Sequence, residues 1–147
     1  MKRLLLTFTL ALSLFSFSSF ANEGKVSPAA LQSFKSSFKN ANEVKWTSTD
    51  TYFKAEFTFN NQYVSAFYDV DGKLIALTRY ISSLQLPLGL QAELKNNYQD
   101  FWISDLFEVA NEEGTSYYIT LENAKVKITL KSISNLEWSG YKKQIKS

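Results

Sequence analysis

From Phe53 onward, apolar and polar residues take turns. Phe53, Ala55, Phe57 and Phe59 alternate with Lys54, Glu56 and Thr58. Val64, Ala66 and Tyr68 alternate with Tyr63, Ser65 and Phe67. A period of two predicts strands with one face turned to a core. Val44 and Trp46 predict a strand before these, and Leu74 to Ile81 one after. Asn60-Asn61 and Asp71-Gly72 stand between strands, where tight hairpins need residues that accept positive φ. Ahead of the strands the period changes. Ser27-Pro28 reads as an N-cap followed by proline at the first helical position. Leu31, Phe34 and Phe38 then fall on one stripe of a short helix ending near Asn40.

The pattern then restarts. Leu86-Pro87 opens a second helix with Leu90, Leu94 and Tyr98 on one stripe. Leu86 is a poor cap and Gly89 costs a helix about 1 kcal/mol, so this helix depends on packing. Strands follow at Trp102 to Val109, Ser116 to Glu122, Lys125 to Lys131 and Asn135 to Tyr141, with turns at Glu113-Gly114 and Asn123-Ala124. The halves align: Pro28, Leu31 and Gln32 match Pro87, Leu90 and Gln91, and Phe57, Phe59, Val64 and Tyr68 match Ile119, Leu121, Val126 and Leu130. The expected fold class is α+β: two tandem units, each a helix plus a four-stranded antiparallel sheet, repeat 1 over 26–82 and repeat 2 over 84–147. Placed side by side, the units would share one larger sheet with both helices on one face.

Alternation divides the strand residues between two faces. Phe53, Phe57, Phe59, Val64, Tyr68, Leu74, Tyr117, Ile119, Leu121, Val126, Ile128, Leu130 and Leu136 are assigned to the helix-covered core. The opposite face is polar in the second half, at Thr120, Glu122, Lys125, Lys127, Thr129 and Glu137. In the first half it carries Tyr63, Phe67, Ile75 and Leu77 beside Lys54, Glu56 and Arg79. An uncovered apolar cluster of that kind marks a partner-binding surface, unless another part of the chain covers it. Trp46 and Trp138 share phase with core residues. Trp102 has the opposite phase to Phe101 and Ile103, and joins the candidate surface.

Composition narrows the chemistry. The 147 residues include neither Cys nor His, which excludes disulfides, thiol nucleophiles, Ser-His-Asp triads and ordinary zinc sites. No cofactor or metal is expected. Asp69-x-Asp71-Gly72 lacks the glycine and acid spacing of a calcium-binding EF-hand loop and reads as a hairpin turn. Glu56 and Glu122 are the carboxylates to consider for a glycosidase-like pair, and cross-strand charge pairing explains them more simply. The expectation is therefore no enzyme.

The first residues carry an address. Lys2 and Arg3 precede an apolar run from Leu4 to Phe17, and Ser19 and Ala21 place small residues before a cleavage point. This is the layout of a secretory signal peptide over 1–21, cleaved after Ala21, and the run is shorter than a membrane span needs. The mature chain, 22–147, is expected in the periplasm or outside the cell. Loss of Lys2 and Arg3 from the 16 cationic residues leaves a balance with the 14 acids, so the basic precursor is no argument for nucleic acid.

At Ser27-Pro28-Ala29-Ala30-Leu31, Asn42-Glu43-Val44-Lys45-Trp46, Lys54-Ala55-Glu56-Phe57 and the Tyr68-to-Leu74 hairpin, the chain resembles the PepSY-like, beta-lactamase-inhibitor-like exported proteins of bacteria. Ser132-Ile133-Ser134-Asn135 departs from the pattern, where the first half has Asp71-Gly72. The resemblance implies a helix-on-sheet domain exported to the periplasm, and a domain that binds and restrains a protein or peptide of the cell envelope, such as a peptidase. It brings no catalytic residues. The competing expectation is a binder of a small ligand, peptide or glycan using the same aromatics.

Overall fold

A computed structural model describes residues 25–147, so the expected signal peptide lies outside the described residues. The chain runs α1 (Pro28–Ser37), β1 (Asn42–Ser48), β2 (Phe53–Phe59), β3 (Gln62–Tyr68), β4 (Leu74–Tyr80), α2 (Leu88–Asn97), β5 (Trp102–Asn111), β6 (Gly114–Glu122), β7 (Val126–Ser132) and β8 (Trp138–Ile145). A short 3₁₀ turn, Ser83–Gln85, precedes α2.

The fold-class expectation needs correction. The strands form one continuous eight-stranded antiparallel sheet in the order β1 to β8, and not two four-stranded sheets. Among the described residues, two ten-residue helices accompany it, so this part of the chain is mostly sheet. The join is β4 on β5, where Leu77, Thr78, Arg79 and Tyr80 pair with Ala110, Val109, Glu108 and Phe107. A separate four-stranded unit would leave the outer edge of β4 with unpaired backbone groups, and this pairing satisfies them. Local alternation reports the faces of a strand and not its neighbours, so the sequence pattern could not reveal this pairing.

Register shows that both helices lie on one side. Val64 pairs with Arg79, Arg79 with Glu108, and Glu108 with Tyr117, which places these four on one face. Val64 belongs to the core beneath α1, and Tyr117 packs against the core beneath α2. The Ser27 hydroxyl accepts the Ala30 N–H at 3.2 Å, and Pro28 sits at the first turn, as the cap reading predicts. Helix α1 sinks Ala30 and Phe34 onto β2 and β3. Phe34 meets Trp46 and Phe57 edge-on, with centroids 5.3 and 4.9 Å apart, and Phe38 meets Phe57 and Phe59 at 4.8 and 5.5 Å. Such pairs add about 0.5–1.5 kcal/mol each beyond simple burial. Helix α2 has no side-chain cap and holds by packing: Leu90 is fully buried among Leu86, Leu106, Ile119, Leu121, Leu130 and Trp138. The Trp138 indole N–H donates to the Leu90 carbonyl at 3.2 Å.

Two core assignments also change. Leu136 lies in the β7–β8 turn and is exposed, because β8 begins at Trp138 and that tryptophan takes the buried place. The Ser134 hydroxyl accepts the N–H groups of Leu136 and Glu137, which holds the turn open ahead of the strand. Val126, at the start of β7, is only half-buried and lies outside the packed clusters. The predicted hairpins form as read: Asn60 and Asn61 have φ of 50 and 62°, and Gly72 has φ of 84°.

Candidate functional site

The sheet face opposite the helices carries its own apolar cluster. Phe67, Ala76, Val109 and Tyr118 are buried there, with Tyr52, Ile75 and Phe107 packed against them. The cluster straddles the β4–β5 join. Phe107 and Tyr118 stack at 5.2 Å with planes 5° apart, Tyr52 tilts over Phe67 at 5.7 Å, and Tyr141 stands edge-on to Tyr118 at 5.5 Å. Phe67 is therefore only 9% exposed: Tyr52, from the β1–β2 connection, and the second half of the sheet cover it. Four large aromatics around this cluster do face water. Tyr63 is 51% exposed, Tyr80 60%, Trp102 53% and Tyr141 45%.

The candidate residues named from the sequence separate. Tyr63, Phe67, Ile75, Lys54, Glu56 and Trp102 share the open face. Leu77 and Arg79 do not. Between Phe67 and Tyr68 the β3–β4 register shifts, so Ile75 is an extra residue and strict alternation breaks. Beyond that bulge Leu77 packs against the core under α1. Arg79 points to the same side and grips Glu108 with two hydrogen bonds, Nε to Oε1 at 2.9 Å and Nη2 to Oε2 at 3.2 Å, while Nη1 donates to Gln62 Oε1 at 3.1 Å. Arg79 is a tie across the β4–β5 join on the helix side, and not a rim contact of the open face.

The second half of the open face is not purely polar. Tyr118 and Phe107 belong to it, because Tyr118 has the opposite phase to Ile119 in the core. That signal was present in the sequence, where Tyr117 and Tyr118 cannot share a face. Tyr80 and Tyr141 carried no such signal: Tyr80 follows the β4 bulge, and Tyr141 falls where the β7–β8 register shifts between Thr129 and Leu130.

Charge on this face is held in specific pairs. Lys54 bridges Glu56 at 3.1 Å. The Glu122 carboxylate receives Lys146 at 2.8 Å and Lys127 at 3.1 Å. Hydrogen bonds from Lys146, Ser104 and Lys127 hold its pKa down at about 2. Lys146 also lies over the Trp102 ring, 4.8 Å from its centre, and Lys131 over Tyr118 at 5.5 Å. Partial burial raises the Asp105 carboxyl above the usual range, against a nearby Lys127. Burial, with Glu56 and Tyr80 nearby, raises the Tyr63 phenol.

Glu56 on β2 and Glu122 on β6 are four strand spacings apart, about 19 Å, roughly twice the widest separation of a glycosidase pair. The Asp69 carboxylate is engaged by the N–H groups of Asp71 and Lys73 at 3.0 and 2.8 Å, the geometry of an Asx-closed hairpin. A groove of about 570 Å³ beside α2, lined by Leu94, Tyr98, Phe101, Ile103 and Leu121 among others, includes no carboxylate. No group of His, Cys, Asp and Glu suited to a metal occurs among the described residues. No helix among them is long and apolar enough to cross a membrane.

A single antiparallel sheet, two helices packed on one face and an aromatic opposite face define a class of scaffold, and the chain shares that fold with BLIP-like proteins. It is similar to a BLIP-like protein from Bacteroides fragilis, with TM-score 0.68 and 20% identity over 82% of this chain and 86% of that one. It is likewise similar to a DUF2874 family protein from Bacteroides ovatus, with TM-score 0.71 and 18% identity over 82% and 87% of the two chains. A candidate periplasmic protein from Bacteroides eggerthii matches with TM-score 0.70 and 14% identity over 82% and 88%. No protein-family model matches the sequence, and no curated protein matches it.

Proposed function

We propose that this protein is an exported, non-catalytic binding module that engages a peptidase or another protein of the cell envelope through its open sheet face. The observation that carries this reading is the exposure of Tyr63, Tyr80, Trp102 and Tyr141 around a packed aromatic floor on the face opposite both helices. Large amphipathic rings on a rigid sheet supply contact area at little cost in conformational entropy. Tyr63 and Trp102 act as anchors, Lys54 and Glu56 form a polar rim, and Phe67 and Ile75 support the surface from beneath. Both sheet edges argue for the face over strand addition. β1 is broken by a register shift and a positive φ at Glu43, and β8 carries Lys142 and Lys143, with Lys146 just past its end. The signal-peptide pattern over 1–21 and the similarity to a candidate periplasmic protein support export.

The test uses the mature chain as bait in an envelope extract, beside a Tyr63→Lys, Tyr80→Lys variant. Both positions are exposed, so the circular dichroism spectrum is expected to be unchanged. One stoichiometric partner, captured by the native bait and lost with the variant, is the expected result. Equal capture by both, or none by either, overturns the reading.

A further inference from the structure

Near-neutral total charge hides a strong separation. Residues 122–147 hold six lysines, Lys125, Lys127, Lys131, Lys142, Lys143 and Lys146, against two acids, Glu122 and Glu137. Four of these lysines belong to the open face by register. Lys127 and Lys131 lie opposite Glu122 and Tyr118, Lys142 opposite Thr129, and Lys146 over Trp102. Glu122 bridges Lys127 and Lys146, the Asp105 carboxyl also lies near Lys127, and among the described residues no carboxylate pairs with Lys131 or Lys142. Edge protection explains cations on β8, the outermost strand. It does not explain Lys127 and Lys131, one strand further in, nor the seating of Lys131 and Lys146 over aromatic rings of the face. We infer that the β7–β8 half of this face, with Trp102, Tyr118 and Tyr141, receives an acidic segment of the protein partner that carries an aromatic residue among its carboxylates.

This inference rests on the open face being a protein-binding surface, and it adds the chemistry of what lands there. Lys146 keeps its charge over the Trp102 ring, about half of which stays exposed, so carboxylates and an aromatic side chain are accepted side by side. Glu122 at the centre of the lysines opposes a uniform polyanion such as an acidic membrane surface. It suits a peptide, whose backbone N–H groups can donate to it.

The probe is a capped Glu-Glu-Trp-Glu-Glu peptide titrated into the ¹⁵N-labelled mature chain, with the Gln-Gln-Trp-Gln-Gln peptide beside it. Amide shifts are expected along β7, β8 and at Trp102. Affinity is expected to fall at least about tenfold in Lys131→Glu, Lys142→Glu, and to fall between about 0.05 and 0.3 M salt as screening shortens. Lys142→Glu alone, at an exposed position, is expected to show part of the same loss with no risk to folding. The proposal is overturned by equal binding of the glutamine peptide. It is also overturned by shifts spread over Lys35, Lys39 and Lys45, or by binding of phosphatidylglycerol vesicles with none of the peptide. An envelope partner lost with Tyr63→Lys, Tyr80→Lys but fully kept by Lys131→Glu, Lys142→Glu overturns this inference and leaves the protein-binding role standing. Absence of any envelope partner removes that role, while the peptide titration still decides the chemistry of the lysine surface.

Discussion

Tyr68 is fully buried beside Trp46, and its hydroxyl has no hydrogen-bond partner among the described residues. A buried, unsatisfied hydroxyl carries a desolvation penalty of about 1–3 kcal/mol, so Tyr68→Phe is expected to stabilise the fold by about 1 kcal/mol in urea unfolding. Burial pushes this phenol up to about 12 from its ordinary value of 10.0. The neutral form is therefore favoured by folding. Its contribution is intact below pH 10 and is lost as pH rises from there through about 12, where the unfolded chain ionises and the folded one resists. Alkaline unfolding of Tyr68→Phe is expected at higher pH than that of the native protein, and a coincident transition would contradict this. Residue-scale legibility in the sequence was uneven for a physical reason. Phase placed Phe57, Ile119, Trp46, Trp138 and the exposed Trp102 correctly, because the register shifts of β1, β5 and β8 do not fall at the tryptophans and β2 and β6 keep their period. One extra residue at Ile75 reversed that phase, and Leu77 and Arg79 went to the wrong side.

At the scale of elements, each helix meets one hairpin turn at a distance that only glycine tolerates. A Cβ on Gly72 would lie 2.6 Å from Ala29 C and Ala30 N of α1, at a backbone φ that L residues avoid. On α2 the glycine is on the other partner. A Cβ on Gly89 would lie 2.5 Å from Leu136 Cδ2 and 2.7 Å from the Asn135 carbonyl oxygen. The Asp-Gly hairpin missing from the second half is thus answered by a glycine within the helix, which accounts for a residue that helix propensity alone disfavours. Gly72→Ala combines strain with a clash against backbone and is expected to cost about 2–3 kcal/mol. Gly89→Ala regains close to 1 kcal/mol of helix propensity but also meets backbone, the Asn135 carbonyl oxygen at 2.7 Å and Leu136 Cα at 2.9 Å, so its net cost is expected to be lower than that of Gly72→Ala by about that gain. Chemical denaturation of the two variants side by side checks the order.

For the whole molecule, the β4–β5 join decides whether the sheet acts as one body. Four residue pairs make it, with the Arg79–Glu108 bidentate pair on the helix side and the Phe67, Val109 and Tyr118 cluster on the other. A double-mutant cycle over Arg79→Gln and Glu108→Gln is expected to give a coupling of about 1 kcal/mol, as for a partly exposed bidentate pair. Hydrogen exchange in Arg79→Gln is expected to lose protection first at residues 77–80 and 107–110, and uniform loss over the sheet would contradict the assignment. None of this join was legible in the sequence, since neither Leu77–Tyr80 nor Phe107–Ala110 names its partner across a gap that contains α2. The helices, turns and strands were legible because they depend on near neighbours: a cap at Ser27, paired asparagines at 60 and 61, and a period of two.

The order β1 to β8 also bears on how the molecule forms. Every strand pairs with its neighbour along the chain, and the one long connection between paired strands spans residues 81–101. Contacts are thus of short sequence separation for a protein made mostly of sheet, the condition under which folding is fast. Each group of four strands can close its hairpins beneath its own helix with no part of the other group in place. The aromatic floor of the open face takes Phe67 and Ala76 from one group and Val109 and Tyr118 from the other, so it is complete only once β4 and β5 have met.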